Sequence, residues 1–392
     1  MSALELTAGF IPLVDAAPLV VAREIGFAEE EGLSLSLVRA PSWSMLRDML
    51  VLGQIEAAHM LAPVPVAMAL GLGGLSDRID VLSVLSVNGN VVGVSTALAA
   101  QMRAAGHSPS AFNDAGATGR ALIGLGRPLR IGVPFPFSMH AELLYYWLGA
   151  LGYAAPQALD VRTFPPPLMA EAIAADEIDA FCVGEPWGSI AVENGSGELI
   201  LPTAAIRAFA PEKVLAVRHS WTETEPEITG RLMRAVWKAG RWLGRAENRI
   251  TAAELLQRPE YLGVSPEVID RALTGTLVTA RHAPEQRVPG FLEFFGGGAT
   301  FPWKSQGAWI AAQLAARLGL ERGAAVNAAK SVFRTDLYRQ HLAGTGAEMP
   351  GASEKLEGAL DAPTAAASGT GKLMLLPDRF FDGTIFDPGA SS

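Results

Sequence analysis

The chain has 392 residues, of which 49% are hydrophobic and 18% are charged, and its formal net charge is −9 at pH 7. This length and composition predict two or three domains with sizeable cores. The negative charge disfavours nucleic acid and anionic membrane surfaces as direct partners. The one cysteine, Cys182, excludes an intramolecular disulfide and is typical of a reducing compartment.

Strands and helices are predicted to alternate from the N-terminus. Strands are expected at 4–10, 33–38, 55–61 and 81–87, and helices at 16–30, 43–52 and 64–72. Apolar residues of the first helix recur at helical spacing up to a stop at Gly32, and Ser42 is a candidate N-cap for the second helix. The first residues lack a basic start, an apolar core and a small-residue cleavage site, which favours a cytoplasmic location.

The same pattern recurs at 129–187, displaced by a constant 123 residues. Four pairs keep this offset: Gly9 and Gly132, Val38 and Val161, Glu56 and Asp179, and Pro63 and Pro186. Because the offset holds across strands and helices, it predicts two α/β lobes of similar plan. Two such lobes enclose a cleft, and clefts between lobes are preferred sites for small ligands.

The remaining elements complete a four-part division of the chain. A loop with one short helix is expected at 104–127, strands at 199–201 and 214–217, and helices at 225–246, 252–256, 266–273 and 306–318. The predicted domains are 1–92 as the first part of lobe I, 93–212 as lobe II, 213–340 as a return to lobe I with a helical extension, and 341–392 as a flexible segment and docking tail. Flexibility is expected at 344–371, which is rich in small residues.

Enzyme motifs are absent from the sequence. There is no phosphate-binding G-x-x-x-x-G-K-[ST] segment, no dinucleotide fingerprint after a strand, no Cys/His pair with zinc spacing and no G-x-S-x-G segment. The uncharged run 60–76 contains two prolines and three glycines, which disfavours membrane insertion. The motifs therefore disfavour a hydrolase, a nucleotide enzyme and a membrane-spanning protein.

Candidate ligand contacts lie at strand ends and helix starts, where open α/β lobes bind ligands. Trp43 and His140 begin predicted helices, and a helix N-terminus favours a small anion. Gly184 and Glu185 end a strand, and Lys213 precedes the strand that returns to lobe I. Taken singly, each of these residue types is more common in a structural role. The assignment depends on the repeat, which places several of them on one cleft.

Two further polar residues are interpreted as part of the core. His59 lies inside the apolar strand EAAHML and is expected to be a buried histidine with its hydrogen bonds satisfied. Cys182 is expected to be buried packing, because no neighbour in the sequence would activate its thiol.

Seven segments carry a resemblance to a known family. They are GFIPLVDAAPLVVAREIGFAEEEGL, SWSMLRDMLVLGQIEAAHMLAPVPVAM, GVPFPFSMH, CVGEPW, PEKVLAV, FPWKSQGAWI and DRFFDGTIFDP. They resemble the nitrate-binding family of type II periplasmic binding proteins over nearly the whole chain. The resemblance implies a two-lobed type II periplasmic-binding-protein fold with an internal βαβαβ repeat and a helical C-terminal extension.

The resemblance also implies six contacts to nitrate. They are Trp43, Asn90, His140, Gly184, Glu185 and Lys213. Lys213 would supply the neutralising charge, while His140 and Asn90 would donate hydrogen bonds. Asn90 stands where transporter members carry a glutamine, so its amide is one methylene shorter. Trp43 would pack on the planar anion, and Glu185 is expected to orient Lys213 or His140. A lysine at 213 argues against a bicarbonate-plus-calcium site, so neither a metal nor another cofactor is expected.

The resemblance implies a binding protein rather than an enzyme. Members without an export signal resemble NasS-type cytoplasmic nitrate/nitrite sensors, which hold an RNA-binding NasT-type antiterminator until the anion binds. Such a cytoplasmic sensor, which itself contacts neither RNA nor membrane, is the predicted function. The alternative is the solute-binding component of a nitrate or bicarbonate ABC transporter. A thiamine-pyrimidine synthase on the same fold would need a cysteine-rich metal-binding segment, which this one-cysteine chain lacks.

Overall fold

The computed structural model describes residues 3–74, 77–108, 111–155 and 159–390. Within them, the strands are β1 (Leu4–Phe10), β2 (Leu33–Arg39), β3 (Ala57–Leu61), β4 (Ile79–Asn88), β5 (Asn90–Ser95), β6 (Leu129–Val133), β7 (Leu159–Thr163), β8 (Ala180–Gly184), β9 (Gly197–Pro202), β10 (Pro211–Arg218), β11 (Thr276–Val278), β12 (Glu285–Arg287), β13 (Leu292–Glu293), β14 (Thr364–Ala365) and β15 (Met374–Leu375). The α-helices are α1 (Ala17–Glu24), α2 (Phe27–Glu30), α3 (Trp43–Val51), α4 (Pro63–Ala69), α5 (Thr96–Ala104), α6 (Ala115–Ile123), α7 (Met139–Ala150), α8 (Met169–Ala174), α9 (Trp187–Glu193), α10 (His219–Thr224), α11 (Pro226–Leu243), α12 (Arg249–Leu256), α13 (Pro266–Thr274), α14 (Lys304–Leu318), α15 (Arg322–Val332) and α16 (Thr335–Leu342).

Two mixed sheets form the centres of two lobes. The sheet of lobe I has the strand order β13-β4-β10-β3-β1-β2, and the sheet of lobe II has the order β7-β6-β8-β5-β9. In each sheet the first three strands of the repeat are parallel, and one antiparallel strand, β10 or β5, lies next to them. The prediction of two α/β lobes is therefore confirmed.

The repeat extends into these antiparallel strands. Lys213 of β10 pairs with Leu61 of β3, and Asn90 of β5 pairs with Gly184 of β8. Lys213 and Asn90 are 123 residues apart in the chain, and so are Gly184 and Leu61. The offset of the repeat therefore relates the two pairs, although β5 precedes the other strands of lobe II in the chain. Lys213 and Asn90 thus occupy equivalent positions at the start of equivalent strands, at the edges of the two lobes that face the cleft.

Local chemistry explains where helices differ from their predicted bounds. The helix expected at 16–30 is divided into α1 and α2 by Gly26, whose φ of 88° lies in the left-handed region. Ser42 caps α3 as predicted, accepting a hydrogen bond from the Met45 amide. Helices α5, α15 and α16 were not predicted. Ser95 caps α5 and Glu321 caps α15, and both helices are rich in alanine, which gives a weak periodic signal.

The chain crosses between the lobes at two adjoining places, between β4 and β5 and between β9 and β10. Asn88 and Gly89 form the first crossing, with φ values of 61° and 95°. The Asn88 amide donates to the carbonyl of Ala208 at 2.7 Å, and its oxygen accepts from the Ala210 amide at 3.0 Å. Asn88 therefore ties the two crossings together, which is the arrangement that a hinge requires.

The C-terminal part of the chain packs against both lobes. Glu357 is fully buried and accepts hydrogen bonds from Arg207, at 2.8 Å, and from Ser305, at 2.6 Å. In the tail, Phe380 is buried with its ring 5.1 Å from the Arg207 guanidinium. Glu357 lies inside the 344–371 segment, so this part of the segment is docked. The flexibility of the rest of that segment stays a prediction.

Helix α11 is the longest helix of the described residues and is amphipathic. Its apolar face, which includes Leu232, Val236 and Leu243, is buried, and the helix packs on α1 and α2 of lobe I. The opposite face carries charged residues, as in a surface helix of a globular protein. Across the part of the chain that the structure describes, every helix is too short or too polar to cross a membrane.

Candidate functional site

The site lies where the two lobes meet, and the lobes are in direct contact around it. The Val14 amide of lobe I donates to the Glu185 carbonyl of lobe II at 2.9 Å. The Trp187 indole N–H of lobe II donates to the Pro12 carbonyl of lobe I at 2.7 Å. These contacts close the cleft, and the six residues predicted to bind the ligand are all buried. The structure therefore represents a closed form.

Lys213 is the charged centre of the site. Its ammonium is fully buried and donates to Asp15 Oδ2 at 2.7 Å and to Glu212 Oε1 at 2.9 Å. Glu212 and Lys213 are neighbours in β10, where side chains ordinarily alternate between faces. The pairing of β10 with β4 is irregular on both sides of Lys213, and such a bulge re-aims side chains. The irregularity accounts for two adjacent residues that point into one site.

Asp15 links Lys213 to a buried histidine. Asp15 lies just before α1, and its second carboxylate oxygen accepts a hydrogen bond from His59 Nε2 at 2.9 Å. Burial raises the pKa of Asp15, but Lys213 and His59 together outweigh it and lower the pKa to about 2. Asp15 is therefore an ionised partner that compensates the charge of Lys213.

His59 only partly fits its predicted core role. It is fully buried and its Nε2 is bonded to Asp15, as expected of a satisfied core histidine. However, its Nδ1 has no hydrogen-bond partner, and its ring lies 5.8 Å from the Trp43 ring. Burial lowers the pKa of His59 despite the neighbouring Asp15. His59 therefore belongs to the wall of the site as a neutral side chain.

Trp43 and His140 begin helices on opposite sides of the site. The Lys213 ammonium is 5.6 Å from the centroid of the Trp43 ring, within cation–π range. His140 lies in the first turn of α7, which is capped by Ser138, and its Nδ1 is 3.4 Å from Glu212 Oε1. Burial, followed by the Lys213 charge, lowers the pKa of His140 well below its ordinary value. His140 is therefore a neutral hydrogen-bonding group.

Asn90 and Gly184 line the site on the lobe II side. A Cβ atom added to Gly184 would come within 3.0 Å of Leu13 Cδ2, within 3.3 Å of Asn90 Oδ1 and within 3.8 Å of Asp15 Oδ2. The bare glycine thus permits the close approach of both lobes at this point. Around this glycine, Asn90 of lobe II lies beside Asp15, the partner of Lys213.

Glu185 does not have the orienting role expected from the sequence. Its Oε2 accepts from the amide of Ser189 in α9 at 3.2 Å, while Lys213 donates to Asp15 and Glu212 instead. The expectation that Glu185 orients Lys213 or His140 is therefore wrong. The reason is local, because the carboxylate folds back on the first turn of its own helix. Burial raises the pKa of Glu185 to about 7, although Ser189 opposes the shift.

Several buried polar atoms of the site have no hydrogen-bond partner among the residues that the structure describes. The donors of this group are Trp43 Nε1, Asn90 Nδ2 and a ring nitrogen of His140, and the acceptors are Asn90 Oδ1 and Glu212 Oε2. An unpaired buried polar group is costly, so proteins rarely keep one without a function. The Lys213 ammonium also has three N–H donors and uses two of them on Asp15 and Glu212. The arrangement can thus bind a small ligand with several acceptor atoms.

Three polar residues of the site were not among the sequence candidates. Asp15 and Glu212 were not considered, and His59 was assigned to the core. Glu212 directly precedes Lys213, and Asp15 stands in the apolar segment PLVDAAP, where a lone carboxylate is a signal for a buried ion pair. In the described parts of the chain, no group of three or more His, Cys, Asp and Glu side chains could hold a metal ion.

Comparison with known proteins gives related sequences over most of the chain. The model of the NMT1-like family matches residues 3–257. The nitrate/nitrite binding protein NrtA of Nostoc sp. strain PCC 7120 is 28% identical over 387 residues, which are 97% of this chain and 82% of that protein. The nitrate import ATP-binding protein NrtC of Synechocystis sp. strain PCC 6803 is 33% identical over 322 residues, which are 80% of this chain and 46% of that protein. This chain thus matches just under half of NrtC.

The fold also matches a solved structure. The crystal structure of the periplasmic nitrate-binding protein NrtA from Synechocystis PCC 6803 aligns with a TM-score of 0.82 and 25% identity, covering 98% of this chain and 96% of that one. The prediction of a two-lobed periplasmic-binding-protein fold is therefore confirmed. A particular closeness to the cytoplasmic sensors stays a prediction.

Proposed function

The chain belongs to the NMT1-like family, and we propose that it is the solute-binding component of an ABC importer that captures nitrate between its lobes. The observation that carries this proposal is the set of buried, unpaired donors around Lys213. Trp43 Nε1, Asn90 Nδ2 and the ring nitrogens of His140 come from both lobes and have no hydrogen-bond partner in the described parts of the chain. Binding, with no catalytic step, is the whole of the proposed activity.

Nitrate suits these donors because it is planar, carries one negative charge and has three equivalent acceptor oxygens. The third N–H of Lys213 supplies a charge-assisted hydrogen bond, which is among the stronger kinds. His140 and Asn90 supply neutral donors from lobe II, and Trp43 supplies an aromatic face and an indole N–H from lobe I. Nitrite offers similar acceptors and fits the same description.

The relatives support the choice of ligand and of transport. One is a nitrate/nitrite binding protein that matches 97% of this chain, and another is an ATP-binding protein of nitrate import. Bicarbonate is the competing ligand among ABC importers of this type. Lys213 favours a monoanion without calcium, since a cation at this position occupies the place that a calcium ion would need.

Calorimetry on the purified full chain with nitrate, nitrite and bicarbonate tests the ligand. We expect nitrate to bind with a dissociation constant of about 1 μM, or about −8 kcal/mol. The matched control is Glu193→Gln, which removes an exposed carboxylate of α9 outside the site. A chain that binds bicarbonate and not nitrate, or none of the three anions, would contradict the proposal.

The cytoplasmic sensor is the second candidate. The net charge of −9 favours it, because an acidic protein attracts a basic RNA-binding antiterminator. If that partner binds only the open form, nitrate must release it, and the partner must weaken nitrate binding by the same factor, typically ~5–150-fold. Co-elution with the NasT-type protein, with and without nitrate, distinguishes the two candidates. A complex that nitrate dissociates supports the sensor, and the absence of any complex supports the importer.

A further inference from the structure

The closed site contains more negative charge than its one lysine can balance. Asp15, Glu185 and Glu212 are each at most 3% exposed, and the Lys213 ammonium contacts Asp15 and Glu212. Lys213 and Asp15 form a neutral pair. An ionised Glu212 beside a bound monoanion would therefore leave two uncompensated negative charges in a buried space, which is strongly unfavourable.

Among the residues that the structure describes, the titratable groups that face Glu212 come from four elements and provide no second cation, and the neutral Asn90 side chain of β5 also lies close enough to lower the pKa of Glu212. Lys213 is its neighbour in β10, Asp15 lies before α1, His140 begins α7, and the Cys182 thiol lies in β8 close enough to be influenced by the Glu212 charge. His140 is not a cation, because burial lowers its pKa well below the ordinary value. Burial raises the pKa of the Cys182 thiol, so it stays neutral as well.

We propose that Glu212 takes up one proton when the anion binds, so that the closed cleft holds the anion and a proton together. This inference rests on the proposed function, and it adds the number of protons that are bound with each anion. The balance is simple: the ionised Glu212 carboxylate gains a proton from solvent as the cleft closes and returns it when the cleft opens. No covalent bond to the ligand forms.

The geometry around Glu212 supports its role as the proton acceptor. One carboxylate oxygen, Oε1, accepts from Lys213, whereas Oε2 is buried and accepts no hydrogen bond from the residues that the structure describes. A proton on Oε2 turns an unpaired acceptor into a donor, which is what an anion needs. Burial raises the pKa of Glu212, and Lys213 offsets this only in part. In an open cleft the same carboxyl is solvated and ionised at neutral pH.

The proposal predicts a direction for the pH dependence. Glu212 has a higher pKa in the closed complex than in the open protein, so protons favour the complex. Between these two pKa values, the dissociation constant for nitrate rises about tenfold for each unit of increasing pH. Below the ordinary range of a glutamate the dependence disappears, because both forms are then protonated.

Calorimetry measures the proton directly. Nitrate is titrated into the full chain at one pH near neutrality, in buffers that differ in their heat of ionisation, and the slope of the apparent binding heat against that heat counts the protons. We expect a value approaching one for the native chain. In Glu212→Gln, which imitates the protonated side chain, we expect heats that do not depend on buffer and tighter binding than the native chain at high pH. The matched control Glu193→Gln, which removes an exposed carboxylate outside the site, retains the proton uptake. Glu185→Gln removes the other buried carboxylate whose pKa is raised, so it separates the contribution of Glu185 from that of Glu212.

The outcomes separate this inference from the proposed function. Measurable nitrate binding with no proton uptake in the native chain overturns the coupling and leaves the ligand in place. Uptake that persists in Glu212→Gln and is lost in Glu185→Gln overturns the choice of Glu212. Failure of the native chain to bind nitrate at any pH overturns the proposed function itself. The proton count of the native chain needs no variant, so a misfolded variant does not prevent the test.

Discussion

The two lobes have the same plan but carry different chemistry at equivalent positions. Lobe I presents Lys213 at the start of its antiparallel strand, and lobe II presents Asn90 there. Asp15, just before α1, corresponds through the same offset to Ser138, which caps α7. The repeat therefore determines where the site residues lie, and the identity of those residues places the positive charge in lobe I.

This division has a physical advantage. The charged pair of Lys213 and Asp15 lies within a single lobe, so it stays compensated whether the cleft is open or closed. Lobe II contributes the neutral donors Asn90 and His140, whose exposure to water in an open cleft costs little. Closing the cleft therefore brings together a charge centre and a set of donors without breaking an ion pair. We expect lobe I to determine the sign of the ligand charge and lobe II to determine its geometry.

Replacing the cation of lobe I is expected to have the largest effect. Lys213→Met should weaken nitrate binding by about 3 kcal/mol, because it removes a charge-assisted hydrogen bond and leaves the Asp15 carboxylate near the anion without its cation. It should also destabilise the fold by roughly 3–5 kcal/mol, the cost of leaving the buried charge of Asp15 without its partner. Calorimetry and thermal unfolding measure the two effects.

A double variant separates these effects. Lys213→Met combined with Asp15→Asn removes both members of the ion pair, so we expect it to regain most of the lost stability without regaining nitrate affinity. If Lys213→Met bound nitrate as tightly as the native chain, the assignment of the charge to lobe I would be wrong.

Removing the main donor of lobe II is expected to have the next largest effect. His140→Ala should weaken nitrate binding by about 1.5–2 kcal/mol, near the lower end for a hydrogen bond to a charged group. Because His140 is neutral and its ring makes no hydrogen bond to the described residues, its loss should change stability less than the loss of Lys213. A loss of affinity as large as that of Lys213→Met would contradict the division between charge and geometry.

The same contrast explains what could be predicted from sequence. The offset from Gly9 and Gly132 was sufficient to predict two lobes, because glycines and apolar strand residues serve the same packing role in both copies. It could not reveal Asp15, which contacts Lys213 only through tertiary structure, nearly two hundred residues away in the chain. It did not reveal Glu212 either, because neighbouring residues of a strand ordinarily point to opposite faces, and only the irregular pairing of β10 turns Glu212 and Lys213 into one site. Glu185 was assigned the wrong role for a different reason: its actual partner, Ser189, is one helical turn away, and the ligand-centred interpretation did not consider this local contact.

Weakening the contact between the lobes tests whether closure contributes to affinity. Trp187→Phe keeps the aromatic ring but removes the N–H that donates to the Pro12 carbonyl at 2.7 Å. We expect the closed form to lose about 1 kcal/mol, and nitrate binding to weaken roughly fivefold. Hydrogen exchange of the Val14 amide, which donates to Glu185 across the cleft, should slow on addition of nitrate in the native chain. Equal exchange with and without nitrate would indicate a site that does not close.

The smallest effect is expected at Asn90, the counterpart of Lys213 in lobe II. Asn90→Gln keeps the amide but adds one methylene in a place where Asn90 Oδ1 already lies 3.3 Å from the Cβ position of Gly184. Crowding and the gain in reach act in opposite directions, so we expect nitrate binding to weaken by less than about 1 kcal/mol, toward the mild end of small-to-large changes. Calorimetry on Asn90→Gln and on Lys213→Met compares the loss of nitrate affinity at the two equivalent positions. Comparable losses in the two variants would contradict the division between charge and geometry, because displacing an amide that is still present would then cost as much as removing the lysine.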